Sequence, residues 1–468
     1  MGKSSLIEQF VAVLGPDRVL FGDALQGRYA HIWQMETPLQ ALCVILPRST
    51  EEVSQCCAIC YAGGQPMVVH GGLTGLVGST VSSPSDVVIS LERMDAIEEI
   101  DPYSKTMQVQ SGTILDVIRE AAQKEGLFFP LSFGARGSAR IGGCIATNAG
   151  GVNVIKYGMT RNLVLGLEVV LPDGRIIDTM KKLIKDNTGY ALSQLFVGSE
   201  GTLGIITRAM LKLSPLPQSR QAAWIGLTSF DGALQWLRQS EAALGSKLAS
   251  FELLWQDTYE AQTSERSPYR APLPHGYPFY VLMETHGQDA VADYGELSNL
   301  LESGMESGAF EDAVLAHSAV DLEWFWNIRA DVTVMTGATD FTQSFDISLP
   351  LQEIGDYVAL VKPLLEALPE VVNAYAFGHL GDGNLHFLVN KQMAGNALKM
   401  EIDRIVYAPL SELKGSVSAE HGIGLDKKQW LPLSRSAEEL ALMRRIKEIF
   451  DPEGLLNPGR ILDIVDKT

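Results

Sequence analysis

Three of the eight histidines of this 468-residue chain sit beside carboxylates in two short segments near its end. The first is Gly378-His379-Leu380-Gly381-Asp382-Gly383-Asn384-Leu385-His386, and the second is Ser418-Ala419-Glu420-His421-Gly422. The first segment reads as a hairpin: apolar Ala374 to Phe377, a Gly-Asp-Gly-Asn turn, then apolar Leu385 to Val389. Folding back at that turn brings His379 and His386 onto facing strands, within reach of one ion. Two neutral imidazoles and the Glu420 carboxylate form a three-ligand set whose fourth position stays open, the arrangement of a catalytic zinc. His421, next to the expected ligand, is then free to move a proton. Any one of these histidines alone would read as an ordinary hydrogen-bonding residue of a glycine-rich turn; the cluster carries the metal reading. His31, His70, His275, His286 and His317 stand apart and read as structural.

A chain of this length holds two or three domains, and 46% apolar with 20% charged residues is a globular composition. A formal charge of −19 argues against a nucleic-acid surface, which needs clustered Lys and Arg. No run of eighteen apolar residues suggests a membrane span. The amphipathic start, Met1 to Leu14, resembles neither a signal nor a transit peptide, so the expected location is the cytoplasm. Five cysteines argue against a disulfide framework. Cys57 and Cys60 fall on one face of a capped helix after Thr50, which makes them core.

The elements that must position the cluster are α+β in pattern. A helix at about 50 to 63 and a strand from Pro66 to Val69 lead into His70-Gly71-Gly72-Leu73-Thr74-Gly75-Leu76-Val77-Gly78. A second glycine block spans residues 134 to 151, and a third runs from Gly198 to Ile206. Backbone N–H groups that approach a pyrophosphate need such loops. None has the spacing of a Rossmann turn or a Walker lysine, which points to a dinucleotide held by a different fold. After Pro215-Leu216-Pro217 the pattern changes to strands with long helices. The chain ends in an amphipathic helix, Glu438 to Phe450, followed by Leu456-Asn457-Pro458-Gly459.

The blocks Gly71 to Gly78, Ile141 to Gly151, Lys185-Asp186-Asn187-Thr188-Gly189-Tyr190 and Gly198 to Ile206 closely resemble the FAD domain of the vanillyl-alcohol oxidase and p-cresol methylhydroxylase superfamily. Gly378 to His386, Ser418 to Gly424 and Leu456 to Gly459 resemble its branch of D-2-hydroxyglutarate dehydrogenase, D-lactate dehydrogenase and the glycolate oxidase flavin subunit. The likeness runs from about residue 36 to 463. It implies an α+β fold: a two-part FAD-binding domain of the p-cresol methylhydroxylase type (1–217), an antiparallel-sheet cap over the flavin (218–410) and a C-terminal helical segment returning to the FAD domain (411–468).

Carried over by position, Gly71, Gly72, Leu73, Thr74 and Gly75 with Gly142 and Gly143 contact the pyrophosphate. Thr147 and Asn148 lie near the flavin, Gly201, Gly204 and Ile206 bind the adenosine side, and Asn457 approaches the flavin from the C-terminal segment. His379, His386 and Glu420 match the ligands of zinc-containing relatives, and His421 matches the acid/base histidine. Leu73 stands where some members carry a flavin-tethering histidine, so the FAD is expected to be non-covalent.

A 2-hydroxy acid needs a guanidinium for its carboxylate. Arg329, in Trp326-Asn327-Ile328-Arg329, matches the family's arginine, with Thr333 expected one helical turn further on the same face. Asn384 joins Arg329 and His421 as a catalytic candidate. Ser344 stands where the hydroxyglutarate enzymes carry a lysine for a distal carboxylate. The expectation is therefore an FAD-dependent, metal-assisted D-2-hydroxy acid dehydrogenase, with D-2-hydroxyglutarate, D-lactate, D-malate or glycolate as candidate substrates. The sequence does not identify the electron acceptor, whose candidates are an electron-transfer flavoprotein, a quinone, a cytochrome or a partner subunit. The oligomeric state stays open, a homodimer included. The alternatives are a flavin-dependent alkyl transferase and a flavin electron-relay subunit without chemistry of its own.

Overall fold

The computed structural model describes residues 3–33, 35 and 37–463; the first two residues of the amphipathic start therefore lie outside the described residues. Strands Cys43–Ile45 and Val87–Ser90 are buried at every position, as strands covered on both faces must be. They pair in parallel; Met67–His70 joins Val87–Ser90, also in parallel, and Val19–Leu20 closes the far edge. Helix Thr50–Ala62 packs on this sheet. Its Ser49 cap accepts from the Glu52 N–H, and Val53, Cys56, Cys57 and Cys60 form its buried face. All five cysteines are free and buried, and burial pushes the Cys56 thiol up to about 12.

A five-stranded antiparallel sheet follows, in the order Ile97–Asp101, Thr106–Gln110, Ile205–Lys212, Val164–Val170, Ile176–Asp178. Beyond residue 218 the chain builds a seven-stranded antiparallel sheet, in the order Asp312–Leu315, Ser219–Leu227, Phe279–Gly287, Leu248–Trp255, Val371–His379, Asn384–Lys391, Phe341–Ser348. Helices Phe230–Leu244, Ala290–Glu306, Ile354–Glu366 and Asn396–Tyr407 bury one face. The other face is only partly covered, by helices Gln256–Gln262 and Ala319–Ala330. Side chains alternate across a strand, and the register puts Glu252, Phe377, His379, His386 and Asp346 together on this second face.

The C-terminal residues return to the first half of the molecule. Ser416 bridges to Ser348 at the end of the large sheet, and Leu456 bridges to Met67 in the small one. Between them, helix Ala437–Phe450 starts with a reciprocal Ser436–Glu439 capping box. It sets Phe450 edge-on to Phe196, 5.4 Å between ring centroids.

His70, at the end of its strand, is 4% exposed, and its Nε2–H donates to the Thr80 carbonyl at 2.8 Å. Burial pulls its pKa down from 6.5 to about 4. Between those values the unfolded chain binds a proton that the folded chain refuses, so this contribution to stability is intact above the unfolded pKa and declines as pH falls. Wild type should lose about 2 kcal/mol more than His70→Gln between pH 7.5 and pH 5. Urea unfolding at the two pH values measures this, and equal losses would show that His70 does not titrate in the fold.

Candidate active site

The hairpin forms as its sequence suggests: strands Val371–His379 and Asn384–Lys391 flank a tight turn in which Gly383 has φ of +80°. His379 and His386 meet edge to face, 5.3 Å between ring centroids. The ligand atoms of His379, His386 and Glu420 all lie within 4.8 Å of one another, with His379 Nε2 4.0 Å from Glu420 Oε2.

Two carboxylates that sequence reasoning did not single out hold this arrangement. Glu252, fully buried in strand Leu248–Trp255, accepts from His379 Nδ1 at 2.6 Å and from Arg329 Nε at 2.8 Å. The first bond orients the ring so that His379 Nε2 faces Glu420. A lone carboxylate inside Leu-Ala-Ser-Phe-Glu-Leu-Leu-Trp was the available signal. Asp346, also fully buried, accepts the backbone N–H groups of Ala419, Glu420 and His421 and the amide of Asn384. Its oxygens stand 3.8 Å from His386 Nδ1 and 3.9 Å from His421 Nδ1.

The charges follow from this packing. Burial favours a neutral His379, but Glu252 outweighs it and raises the imidazole to about 9. Burial pushes Glu420 up to about 7, and lowers both His386 and His421. Burial also opposes ionisation of Asp346, yet His421, Lys427 and His386 hold it well below the usual carboxylate range. Two imidazole nitrogens and a carboxylate oxygen converging in this way fit a divalent ion with a fourth position open.

Arg329 lies at the end of helix Ala319–Ala330, 7% exposed, its guanidinium 4.8 Å over the Phe377 ring. Nε is taken by Glu252, whereas buried Nη2 has no partner among the described residues. Phe377 touches His386 in turn, 5.2 Å between centroids. The unpaired end of Arg329 therefore belongs to the same site as the histidines. Asn384 spends its amide on Asp346 and the Ile347 carbonyl, so it positions the site. Its Oδ1 is buried without a protein partner.

Thr333 does not continue the Arg329 face. The helix stops at Ala330, and Asp331 accepts from both the N–H and the hydroxyl of Thr333, a local turn that competes with the helix. Thr333 is exposed, and so is Ser344. Ser344 nevertheless shares the Asp346 and His386 face of the sheet, two residues along the strand.

The glycine loops meet one another. A Cβ on Gly71 would lie 3.7 Å from the Gly143 backbone, while Gly75 and Gly143 themselves face open space where a cofactor backbone approach is free. Gly72 and Gly142 are required for packing, since a Cβ would fall within 2.3 Å of the Ser138 carbonyl and 2.5 Å of Ser111. Leu73 has φ of +57° beside them, and Thr74 accepts from Trp33 Nε1 through its carbonyl. A cavity of about 430 Å³ is lined by Thr147, Asn148, Glu200, Thr202, Glu420 and Gly422 among others. Gly150 closes on the metal-type cluster, where a Cβ would stand 2.5 Å from Glu420 Oε1.

At the other expected cofactor residues, the Cβ side or the side chain itself is taken up by protein. The Cβ space of Gly204 is filled by Val169 and Phe196, and Ile206 is core. A Cβ at Gly201 would meet the Asn457 amide, and that amide already bridges Val69 N–H and the Glu200 carbonyl at 2.9 and 2.7 Å. Glu200 is a further residue the motifs did not single out; it accepts from Ser79 and from the N–H groups of Ile423 and Gly424.

Comparison with known proteins matches residues 41–180 to an FAD binding domain and residues 216–461 to the C-terminal domain of FAD linked oxidases. The chain belongs to the FAD-linked oxidases. It is an oxidoreductase that binds FAD. This oxidase is 36% identical over 419 residues to a mitochondrial D-2-hydroxyglutarate dehydrogenase of Rattus norvegicus, covering 90% of the chain and 78% of the relative. It is also 36% identical to a putative mitochondrial D-lactate dehydrogenase of Schizosaccharomyces pombe, covering 88% and 80%. The structure of p-cresol methylhydroxylase with substrate bound superposes with a TM-score of 0.76 at 15% identity, covering 99% of this chain and 98% of that one. The α+β fold of that superfamily is therefore present. The names of the relatives overturn the cytoplasmic placement, because both are mitochondrial proteins and the composition of the first fourteen residues does not decide a compartment.

Because Glu252 joins Arg329 and His379 in a buried network of this oxidase, removing it leaves a guanidinium without its carboxylate. Glu252→Ala should lower unfolding stability by about 3–5 kcal/mol, and Glu252→Gln, which retains an acceptor, by less. Urea unfolding followed by tryptophan fluorescence reads this in the large sheet and its helices, where Trp224, Trp236, Trp255, Trp324 and Trp326 lie. Unchanged stability of Glu252→Ala would show that the network contributes nothing to the fold.

Proposed function

We propose that this flavoprotein oxidises a D-2-hydroxy acid to the 2-oxo acid with the assistance of a divalent metal, zinc by donor set. One observation carries the reading: a buried guanidinium with one nitrogen unpaired stands beside two histidines and a glutamate converging on one point. The names of the similar dehydrogenases support the same substrate class. In this reading residues 1–217 bind FAD, 218–410 form the cap and 411–468 return to the FAD part.

Arg329 takes the substrate carboxylate through its free Nη2, with Nε held by Glu252 so that the fork keeps its direction. His379, His386 and Glu420 would hold the metal, which would supply Lewis acidity toward the substrate hydroxyl. His421 receives the hydroxyl proton, its backbone held by Asp346. FAD, held without a covalent tether, would supply the acceptor for the Cα hydride. The O–H proton goes to His421, the C–H electron pair leaves with the hydride, and the carbonyl remains. The electrons then pass to an acceptor, with an electron-transfer flavoprotein, a quinone or a cytochrome as the candidate classes. A homodimer belongs to this reading, and sedimentation of the purified protein tests it. An alkyl transferase or a relay subunit would not have its flavin reduced by a hydroxy acid. D-lactate, D-malate, glycolate and D-2-hydroxyglutarate, tested anaerobically for flavin bleaching with metal measured in the same sample, decide among these readings.

His386→Ala should lose the metal and the activity while FAD absorbance is retained, since two remaining ligands hold zinc poorly. Full metal occupancy in that variant would show the ligand assignment to be wrong. His421→Asn should retain metal and substrate binding but slow flavin reduction by on the order of 10²-fold or more. Stopped-flow measurement of an unchanged reduction rate would remove His421 from the mechanism.

A further inference from the structure

The large sheet continues beyond His386 on the site's own face. The next row across strands Phe341–Ser348, Asn384–Lys391 and Val371–His379 is Ser344, Leu388 and Tyr375. The row after it is Thr342, Asn390 and Asn373. No residue of either row carries a charge at neutral pH. The short helix Thr333–Thr336 lies against the second row: its Met335 carbonyl accepts from Asn390 Nδ2 at 2.7 Å, and its Thr336 carbonyl accepts from Thr342 Oγ1 at 3.3 Å. Leu388 is 7% exposed and joins Phe325, Ile328, Met335 and Phe377 in one apolar cluster, with Val332 and Tyr375 against it.

The charges around this row leave it without a net cation: Arg266 acts on the Tyr375 hydroxyl, but the anion Asp257 acts on it more strongly and with the opposite sign. Arg329 is committed at the other end of the site to Glu252. Lys391 pairs with Gln343 on the opposite face of the sheet. From residue 331 to residue 337 the single charged side chain is Asp331, an anion, and it is taken by Tyr269 and Thr333.

We propose that Leu388, with Ser344 and Tyr375 beside it, selects a 2-hydroxy acid with an uncharged, apolar tail of a few carbons and disfavours a second carboxylate. This rests on the reading of Arg329 and the His-Glu cluster as the site that holds the carboxylate and hydroxyl. With those two groups fixed, a tail running along the sheet from His386 meets Leu388 first. A methylene buried there gains contacts, whereas a carboxylate gains no hydrogen-bonded cation.

The test compares D-lactate with two five-carbon acids that differ only at the far end, D-2-hydroxyvalerate and D-2-hydroxyglutarate. The holoenzyme's kcat/KM should be at least about 10-fold higher for D-2-hydroxyvalerate than for D-2-hydroxyglutarate. Titration of the flavin absorbance should give the same order of Kd for 2-oxovalerate and 2-oxoglutarate. Ser344→Lys should move the ratio toward D-2-hydroxyglutarate, and Leu388→Ala should lower the ratio of D-2-hydroxyvalerate to D-lactate by about 10-fold. Both variants are first checked for bound FAD, and the wild-type comparison decides by itself if either fails to fold. Reduction by D-lactate combined with a wild-type preference for D-2-hydroxyglutarate overturns this inference alone. Flavin left unreduced by all three acids overturns the reading of the reaction and this inference with it.

Discussion

Two carboxylates buried on one face of a seven-stranded sheet govern the rest of this site. A buried carboxylate is costly unless positive charge or hydrogen-bond donors surround it. Glu252 meets that demand with Arg329 and His379, and Asp346 with three consecutive backbone N–H groups and an asparagine amide. The requirement acts in both directions. Each carboxylate needs its donors, and the donors thereby have fixed positions. Arg329 and His379 come from elements about fifty residues apart in sequence, yet one glutamate sets the distance between them.

The hairpin was legible because its chemistry and its turn lie in a single stretch of nine residues, Gly378 to His386, and a strand period of two decides which side chains share a face. The alternating apolar strands and the helix around Cys57 and Cys60 were legible for the same reason. Glu252 was not, because its partners are 77 and 127 residues away and nothing local marks it beyond being polar in an apolar strand. Thr333 was misplaced for the opposite reason. Helical spacing is a valid guide only while the helix lasts, and Asp331, two residues after Arg329, offers the backbone an alternative turn.

The glycine blocks show how one composition serves two physical ends. Gly75 and Gly143 face open space, as a loop must where a phosphate approaches its backbone. Gly72, Gly142 and Gly204 instead have their Cβ positions filled by protein, so any side chain there would have to displace backbone or core. A glycine count cannot separate these uses. The motif marks the loops, while only the neighbours of each glycine tell which of them has space on its Cβ side.

The segment from Ala419 to Gly424 joins the two halves of the molecule by the same electrostatic device used twice. Asp346, from the large sheet, accepts the N–H groups of Ala419, Glu420 and His421, and Glu200, from the third glycine block, accepts those of Ile423 and Gly424. Burial pushes Glu200 up, but two backbone donors and the Ser79 hydroxyl oppose that shift. Gly422, between the two sets, has φ of +86°, and a Cβ there would stand 2.8 Å from Glu200 Oε1, so the chain can reverse between the carboxylates only with glycine at this position. Glu420 and His421 are therefore suspended between the FAD-binding half and the large sheet. Motion of one half against the other would pull on this span from both ends, along with the Ser250–Val152 and Tyr157–His286 hydrogen bonds that also cross between the halves.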